Sequence, residues 1–142
     1  MTTARDIMTD TAECARANET LADAARKMRD LDVGALPICG EDDRLHGVVT
    51  DRDLVVKCVA EGADPTSTPV SELAEGKPVT IGADDPIDEA LRTMIEHGVR
   101  RLPVIDGDRL VGMVSQADVA RETSPEQAGE LVAALSRSPK NN

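Results

Sequence analysis

The sequence predicts an α/β (α+β) fold made of two similar β-α-β-β-α halves packed face to face. Three observations carry this prediction. First, the chain repeats itself. Val33-Gly34-Ala35-Leu36-Pro37-Ile38 returns as Val99-Arg100-Arg101-Leu102-Pro103-Val104, and Arg44-Leu45-His46-Gly47-Val48-Val49-Thr50-Asp51-Arg52-Asp53 as Arg109-Leu110-Val111-Gly112-Met113-Val114-Ser115-Gln116-Ala117-Asp118. The first pair is offset by 66 positions (33 to 99) and the second by 65 (44 to 109), so one extra residue sits in the first copy's turn. Second, each copy sets apolar residues at helical spacing ahead of short extended apolar runs. Third, 142 residues give two halves that are each marginal alone, so they share a core. The cleft between such halves is the place to look for function.

Each element follows from local signals. The first helix is predicted from Asn18 or Glu19 to Leu31, with Leu21, Ala24, Ala25, Met28 and Leu31 on one face. Its counterpart runs from Asp85 to His97, with Ile87, Ala90, Leu91, Met94 and Ile95 inward. Asp85 before Pro86 suits an N-cap followed by proline at the first helical position, and Gly98 suits a C-terminal stop. The runs Ala35 to Cys39 and Leu102 to Ile105 follow as strands. Pro37 and Pro103 mark them as irregular or edge strands, since proline cannot donate to a ladder. Gly40-Glu41-Asp42-Asp43 and Asp106-Gly107-Asp108 are turns, leading to strands Leu45 to Thr50 and Leu110 to Ser115. A last helix starts at Asp51 to Asp53 and runs through Val59. Its counterpart runs from Gln116 towards Arg121. Short extended pieces, Glu13 to Ala15 and Pro78 to Ile81, precede the first helices, each behind a turn-like lead at Arg5 to Met8 and Ser71 to Leu73. The organisation is repeat 1 over 1–62, a linker over 63–69, repeat 2 over 70–124 and a tail over 125–142. Within the tail Gln127 to Leu135 suits one short helix, with Leu131, Val132 and Leu135 apolar, and Ser136 to Asn142 is expected to fray.

Composition narrows the function. Sixteen Lys and Arg against 27 Asp and Glu give a net charge of −11 at pH 7. That field repels phosphate backbones and anionic headgroups, and the absence of Phe, Tyr and Trp removes base-stacking platforms. Nucleic-acid and membrane partners are therefore not expected. An anionic ligand has to rely on a local basic cluster, for which Arg52, Arg100 and Arg101 are the candidates. No apolar run follows the charged N-terminus and no stretch of about 20 apolar residues occurs, so the default address is the cytoplasm. Cys14, Cys39 and Cys58 match no zinc spacing, and buried thiols would account for all three. Cys14 and Cys39 also lie at matching ends of two strands, and could approach as a redox-responsive disulfide if their Cα atoms come within about 7 Å.

The repeated Thr50-Asp51-Arg52-Asp53 and Ser115-Gln116-Ala117-Asp118 carry the clearest chemistry. Asp53 and Asp118 fall in the first turn of a helix, where the dipole favours a carboxylate, and a carboxylate accepts the hydrogen bonds of a ribose diol. Thr50 and Ser115 offer hydroxyls beside the free N–H groups of the helix start, which suit ribose or phosphate. The same spacing is also a plain N-capping box that needs no ligand. Arg100 and Arg101 precede the second copy's strand, where the first copy has Gly34 and Ala35. Arg101 could pair with phosphate, or either arginine could serve a surface salt bridge. His97 ends a helix and could bind metal with Glu122 as acidic neighbour, or simply cap the helix. No hydrolase, zinc-protease or phosphate-loop signature occurs, and an enzyme is not expected.

On the two motif copies, Gly47 to Asp53 and Gly112 to Asp118, the chain resembles the cystathionine-β-synthase (CBS) domain family over roughly residues 4 to 122. Ala4-Arg5-Asp6-Ile7-Met8, Gly34 to Gly40 and Arg44 to Gly47 bring it nearest to actinobacterial stand-alone tandem pairs with no attached catalytic domain. The resemblance implies two repeats related by pseudo-two-fold symmetry, with two clefts at their seam and a homodimer formed through the helices. It implies a non-catalytic sensor in a stress or hypoxic response that binds AMP, ATP or S-adenosylmethionine in those clefts, requires no resident cofactor, and reports occupancy to a regulated partner. The rival expectation is a stress-response structural or interaction protein with empty clefts, responsive to Cys14–Cys39 oxidation or to metal. Relatives of this type carry cysteines at these positions. They also carry a second histidine where this chain has Glu122, which weakens a zinc site.

Overall fold

The structure is a computed structural model that describes residues 1–10, 13–42, 44–74 and 78–138. Asp43 of the expected turn and 139–142 of the tail lie outside the described residues. Both repeats form as a mixed α/β arrangement, and the chain gathers into two compact units. One is continuous, Glu13–Pro78. The other joins Met1–Ala12 to Val79–Asn142. The units thus cut the chain at other places than the sequence repeats do, because each repeat gives its lead to the other. Ala4 and Arg5 donate their N–H groups to Asp85 O and Ala83 O (both 2.9 Å). Val70 and Ser71 donate to Glu19 O (2.7 Å) and Ala17 O (3.1 Å), 66 positions apart from the first set.

In the continuous unit, strands β2 (Ala15–Arg16), β3 (Ala35–Cys39) and β4 (Leu45–Thr50) form a sheet in the order β2-β3-β4, parallel then antiparallel. Helix α2 (Leu21–Leu31) starts at Thr20, whose hydroxyl accepts from Asp23 N–H while the Asp23 carboxylate accepts from Thr20 N–H. These bonds hold the Asp23 carboxyl below its usual pKa. The start is later than Asn18 or Glu19, because a box closes two orphan donors there. Leu21, Ala24 and Met28 are buried with Leu36, Ile38, Val49, Cys58 and Val70. Ala25 and Leu31 turn outward instead, since the packed stripe of α2 is only one residue wide and Leu31 precedes the left-handed C-cap Asp32 (φ 55°). Helix α3 (Asp51–Asp53) continues as a π-helical segment, Leu54–Val59, and a 3-10 turn, Val70–Leu73, closes the unit.

In the other unit, α1 (Ala4–Ile7) and β1 (Thr9–Asp10) join β5 (Ile81–Gly82), α4 (Ile87–His97), β6 (Arg101–Asp106), β7 (Arg109–Ser115), α5 (Gln116–Glu122) and α6 (Pro125–Ser136). The sheet order is β1-β7-β6-β5. Its core is aliphatic: Ala4, Ile81, Ile87, Leu91, Met94, Leu102, Val104, Val114, Val119, Leu131 and Leu135. Asp85 does not cap α4. Its carboxylate accepts from Gly82 N–H (2.9 Å), and Pro86 holds the N-cap position. Pro37 and Pro103 lie in inner strands, not at edges. The short parallel neighbour begins one residue later, at Ile38 and Val104, so no donor is missed on that side. Arg5 bridges Asp84 (3.4 Å) and Asp106 (3.0 Å), and the Asp106 hydrogen bond raises its pKa further. Among the described residues no helix is long and apolar enough to cross a membrane.

Candidate ligand-binding site

Both predicted motifs are closed capping boxes at the turn from strand into helix. In the continuous unit Thr50 Oγ1 accepts from Asp53 N–H (3.1 Å), and Asp53 Oδ2 accepts from Thr50 N–H (2.9 Å). Thr50 is 3% exposed and Asp53 5%. The second Asp53 oxygen lies 3.4 Å from Lys57 Nζ, one helical turn on. In the other unit Ser115 Oγ accepts from Asp118 N–H (3.1 Å) and Asp118 Oδ2 from Ser115 N–H (2.8 Å). Asp118 is 8% exposed, and its other oxygen accepts from Arg121 (2.5 Å). Burying a carboxylate is tolerable only when it is paired in this way. Lys57 and Arg121 were missed in the sequence, although an acid followed by a base at i+3 or i+4 was there to be read.

The remaining candidates divide by unit. Arg52 is exposed on α3, in the same turn as Thr50 and Asp53. Arg101 stands directly opposite Ser115 in the β6–β7 register, and its counterpart opposite Thr50 is Ala35. One box therefore has a cation across the ladder and the other does not. Arg100 Nη2 instead donates to Leu135 O (3.0 Å) and caps the end of α6. His97, the last residue of α4, is exposed, with Nδ1 3.1 Å from Thr93 O. Glu122 is exposed at the end of α5. Among the described residues no three His, Cys, Asp or Glu side chains group as a metal would need. Cys14 and Cys39 form a disulfide with Cα atoms 5.9 Å apart, and Cys58 is a buried free thiol.

Chemically, each box presents a buried carboxylate whose second oxygen meets a cation, beside a hydroxyl that accepts one bond and can still donate. A vicinal diol can take such a carboxylate by displacing the cation's contact, and the freed cation is then available to an anion.

The sequence matches the family model described as CBS domain twice, over residues 4–59 and 70–124. It is 53% identical over 128 residues to Hypoxic response protein 1 of Mycobacterium tuberculosis, covering 90% of this chain and 89% of that protein. The crystal structure of Hypoxic Response Protein I with two coordinated zinc ions superposes with a TM-score of 0.75, covering 87% of this chain and all of that one. The structure of CBSX2 in complex with AMP superposes with a TM-score of 0.71 at 25% identity, covering 86% of this chain and 96% of that one.

Proposed function

Because the chain belongs to the CBS-domain family as a tandem pair, a regulatory module, we propose that it is a non-catalytic sensor of adenosine-containing ligands of the AMP, ATP or S-adenosylmethionine class. The carrying observation is the duplicated box with a buried carboxylate, Asp53 and Asp118. The AMP held by a 25%-identical relative supports the ligand class. Asp118 takes the ribose hydroxyls, Ser115 adds a hydroxyl to ribose or phosphate, and Arg101 and the displaced Arg121 serve the phosphate. The box with Thr50, Asp53 and Arg52 lacks a cation at Ala35 and is the weaker of the two.

Isothermal titration tests this. AMP is expected to give saturable heat with the wild type. Asp118→Asn keeps an oxygen for the cap but loses the charge, and is expected to weaken binding about 10-fold or more, since hydrogen bonds to charged groups contribute about 1.5–3 kcal/mol. No heat with AMP, ATP or S-adenosylmethionine at millimolar concentration sinks the ligand reading, and full affinity in Asp118→Asn sinks the site.

A homodimer is part of the same proposal. Val55 (60% exposed), Val56 (42%) and Val59 (67%) make an apolar strip on the π-helical segment Leu54–Val59. A self-complementary contact between two such strips would remove it from water. Light scattering is expected to give twice the mass of one chain, and Val59→Asp to give the mass of one. A monomeric wild type contradicts this. Two zinc ions are coordinated in the 53%-identical relative, and among the described residues of this chain no three His, Cys, Asp or Glu side chains group as a metal would need.

A further inference from the structure

A groove of about 480 Å3 lies within the continuous unit, between the turn from β2 into α2 and the β3–β4 hairpin. Asn18 lines one side, and Glu41, Asp42 and His46 line the other. Its volume falls in the range of small-ligand sites, about 300–1,000 Å3. The repeat shows what chemistry belongs in such a place. Shifting by 66 positions carries Asn18 to Asp84 and Gly40 to Asp106. Across those two the split unit lays the side chain of Arg5, 3.4 Å from Asp84 and 3.0 Å from Asp106. The counterpart of Arg5 is Ser71. Ser71 N–H donates to Ala17 O (3.1 Å) as Arg5 N–H does to Ala83 O (2.9 Å), so the two leads are seated alike. Serine has no guanidinium to lay across, and the groove lies where an arginine side chain sits in the other unit.

We propose that this groove binds a free alkylguanidine, a small molecule of the kind of arginine's own side chain, with its guanidinium on Glu41 and Asn18. This goes beyond nucleotide binding and does not rest on it. Glu41 and Asn18 are exposed, and neither side chain has a hydrogen bond or ion pair among the described residues. Glu41 adjoins Gly40, so its carboxylate stands in for that of Asp106, and the Asn18 amide oxygen stands in for that of Asp84. A carboxylate takes a guanidinium by two parallel hydrogen bonds, which an ammonium does not match. Asp42 is already engaged. It accepts from Arg44 N–H (3.1 Å), with Arg44 Nε 3.9 Å and His46 Nε2 3.6 Å away. The Arg44 N–H holds its carboxyl below the usual range, so it adds a fixed negative charge to that side. Ala17 and Gly40 give a methylene stem an apolar bed.

One charge opposes such a ligand. The Arg16 guanidinium also lines the groove, with Nη1 donating to Gly40 O (3.3 Å). Its counterpart in the other unit is Gly82, so Arg5 meets no such repulsion there. The bound guanidinium therefore sits on the hairpin side, against Glu41, and gains from any loss of charge at Arg16. The chain as a whole favours the same sign of ligand, since a net charge of −11 draws cations to its surface.

The test is proton NMR of the full chain in deuterated water. With no Phe, Tyr or Trp, the carbon-bound imidazole protons of His46 and His97 stand alone in the aromatic region. His46 lines the groove, and its ring lies over Gly40, where any Cβ would collide with it. His97 ends α4 in the other unit and is the internal control. Agmatine is expected to shift the His46 signals with saturation and to leave those of His97 in place. Putrescine, a diamine without the guanidinium, and citrulline, with an uncharged urea in its place, are each expected to bind about tenfold more weakly at equal ionic strength. Glu41→Gln is expected to weaken agmatine about tenfold, and Arg16→Gln to tighten it about threefold, the worth of one exposed charge. Ser71→Arg puts a guanidinium where the other unit has one, and is expected to abolish the agmatine shift. No saturable shift of His46, parallel shifts of both histidines, putrescine or citrulline binding as well as agmatine, indifference to Glu41→Gln, or full binding in Ser71→Arg would each overturn the proposal.

Discussion

Alanine at both Leu131 and Leu135 is expected to abolish the fold of the split unit near ambient temperature. The two leucines are 0% and 1% exposed, and they pack in one cluster with Met94, Leu102, Val114 and Val119. A single buried leucine-to-alanine change costs about 2–5 kcal/mol, lost transfer energy plus the cavity left behind. The two sites are one helical turn apart, so their costs need not add. Even the lower sum is comparable with the roughly 5–15 kcal/mol that holds a domain together. Helix α6 cannot easily slide to refill the space. Ser124 and Gln127 cap its start, Arg100 donates to Leu135 O (3.0 Å), and Ser138 Oγ donates to Gly98 O (3.1 Å). With no aromatic residue the chain has no useful intrinsic fluorescence, so urea unfolding is followed by far-ultraviolet circular dichroism. Val132→Ala, at a position 47% exposed on the same helix, is expected to stay within about 0.5 kcal/mol of wild type. A double variant as stable as this control would show that α6 merely rests on the unit.

That the tail belongs to a core was only half legible in the sequence. Apolar spacing predicts a helix with Leu131, Val132 and Leu135 as its apolar residues, and two of the three are buried. Nothing local says which surface they cover. The repeats were legible for a firmer reason: a duplicated segment checks its own reading, so each helix and strand was inferred twice. The exchange of leads was not legible. Ala4-Arg5 and Val70-Ser71 stand at the same offset from either partner in a repeat frame, and only their hydrogen bonds to Asp85, Ala83, Glu19 and Ala17 decide the pairing.

The candidate site shows a different limit. Thr50 to Asp53 and Ser115 to Asp118 were found because the motif is duplicated, yet capping and ligand binding ask for the same residue types at the same spacing. The structure shows the boxes closed, with the second carboxylate oxygen of each in an ion pair, Asp53 with Lys57 and Asp118 with Arg121. The same Thr-x-x-Asp spacing at Thr20 to Asp23 was passed over, which put the start of α2 too early. Arg100 and Arg101 are adjacent in sequence, but Arg100 lies in the bend before β6 and reaches the end of α6, while Arg101 opens the strand and stands opposite Ser115. Cys14 and Cys39 could not be paired from spacing, because sequence separation is not distance. The parallel register of β2 on β3 is what brings them within bonding reach.

Gly112→Ala is expected to peel the N-terminal lead from the unit it completes. A Cβ at this position would lie 2.5 Å from Met8 Sδ, 3.0 Å from Met8 Cγ and 2.8 Å from the Thr9 carbonyl oxygen. Met8 can swing away, but the Thr9 carbonyl cannot. It belongs to β1, held against β7 by the pairs Thr9–Met113 and Asp10–Gly112. The added methyl must therefore push β1 off its ladder partner β7, and overpacking of this kind costs about 1–3 kcal/mol. The strain falls on a two-residue strand whose retreat also unseats Ala4, which is fully buried, and the Arg5 bridge to Asp84 and Asp106. Trypsin cleavage after Arg5 reports the detached state, because cleavage of a briefly opened segment tracks its population. The rate is expected to rise about tenfold, with a modest fall in the urea midpoint. Gly107→Ala is the contrasting variant. It has φ +67° with nothing within 4 Å, so it strains its own turn by about 1 kcal/mol and leaves the lead in place. Equal cleavage after Arg5 in both variants would mean that contact with Gly112 does not seat the lead.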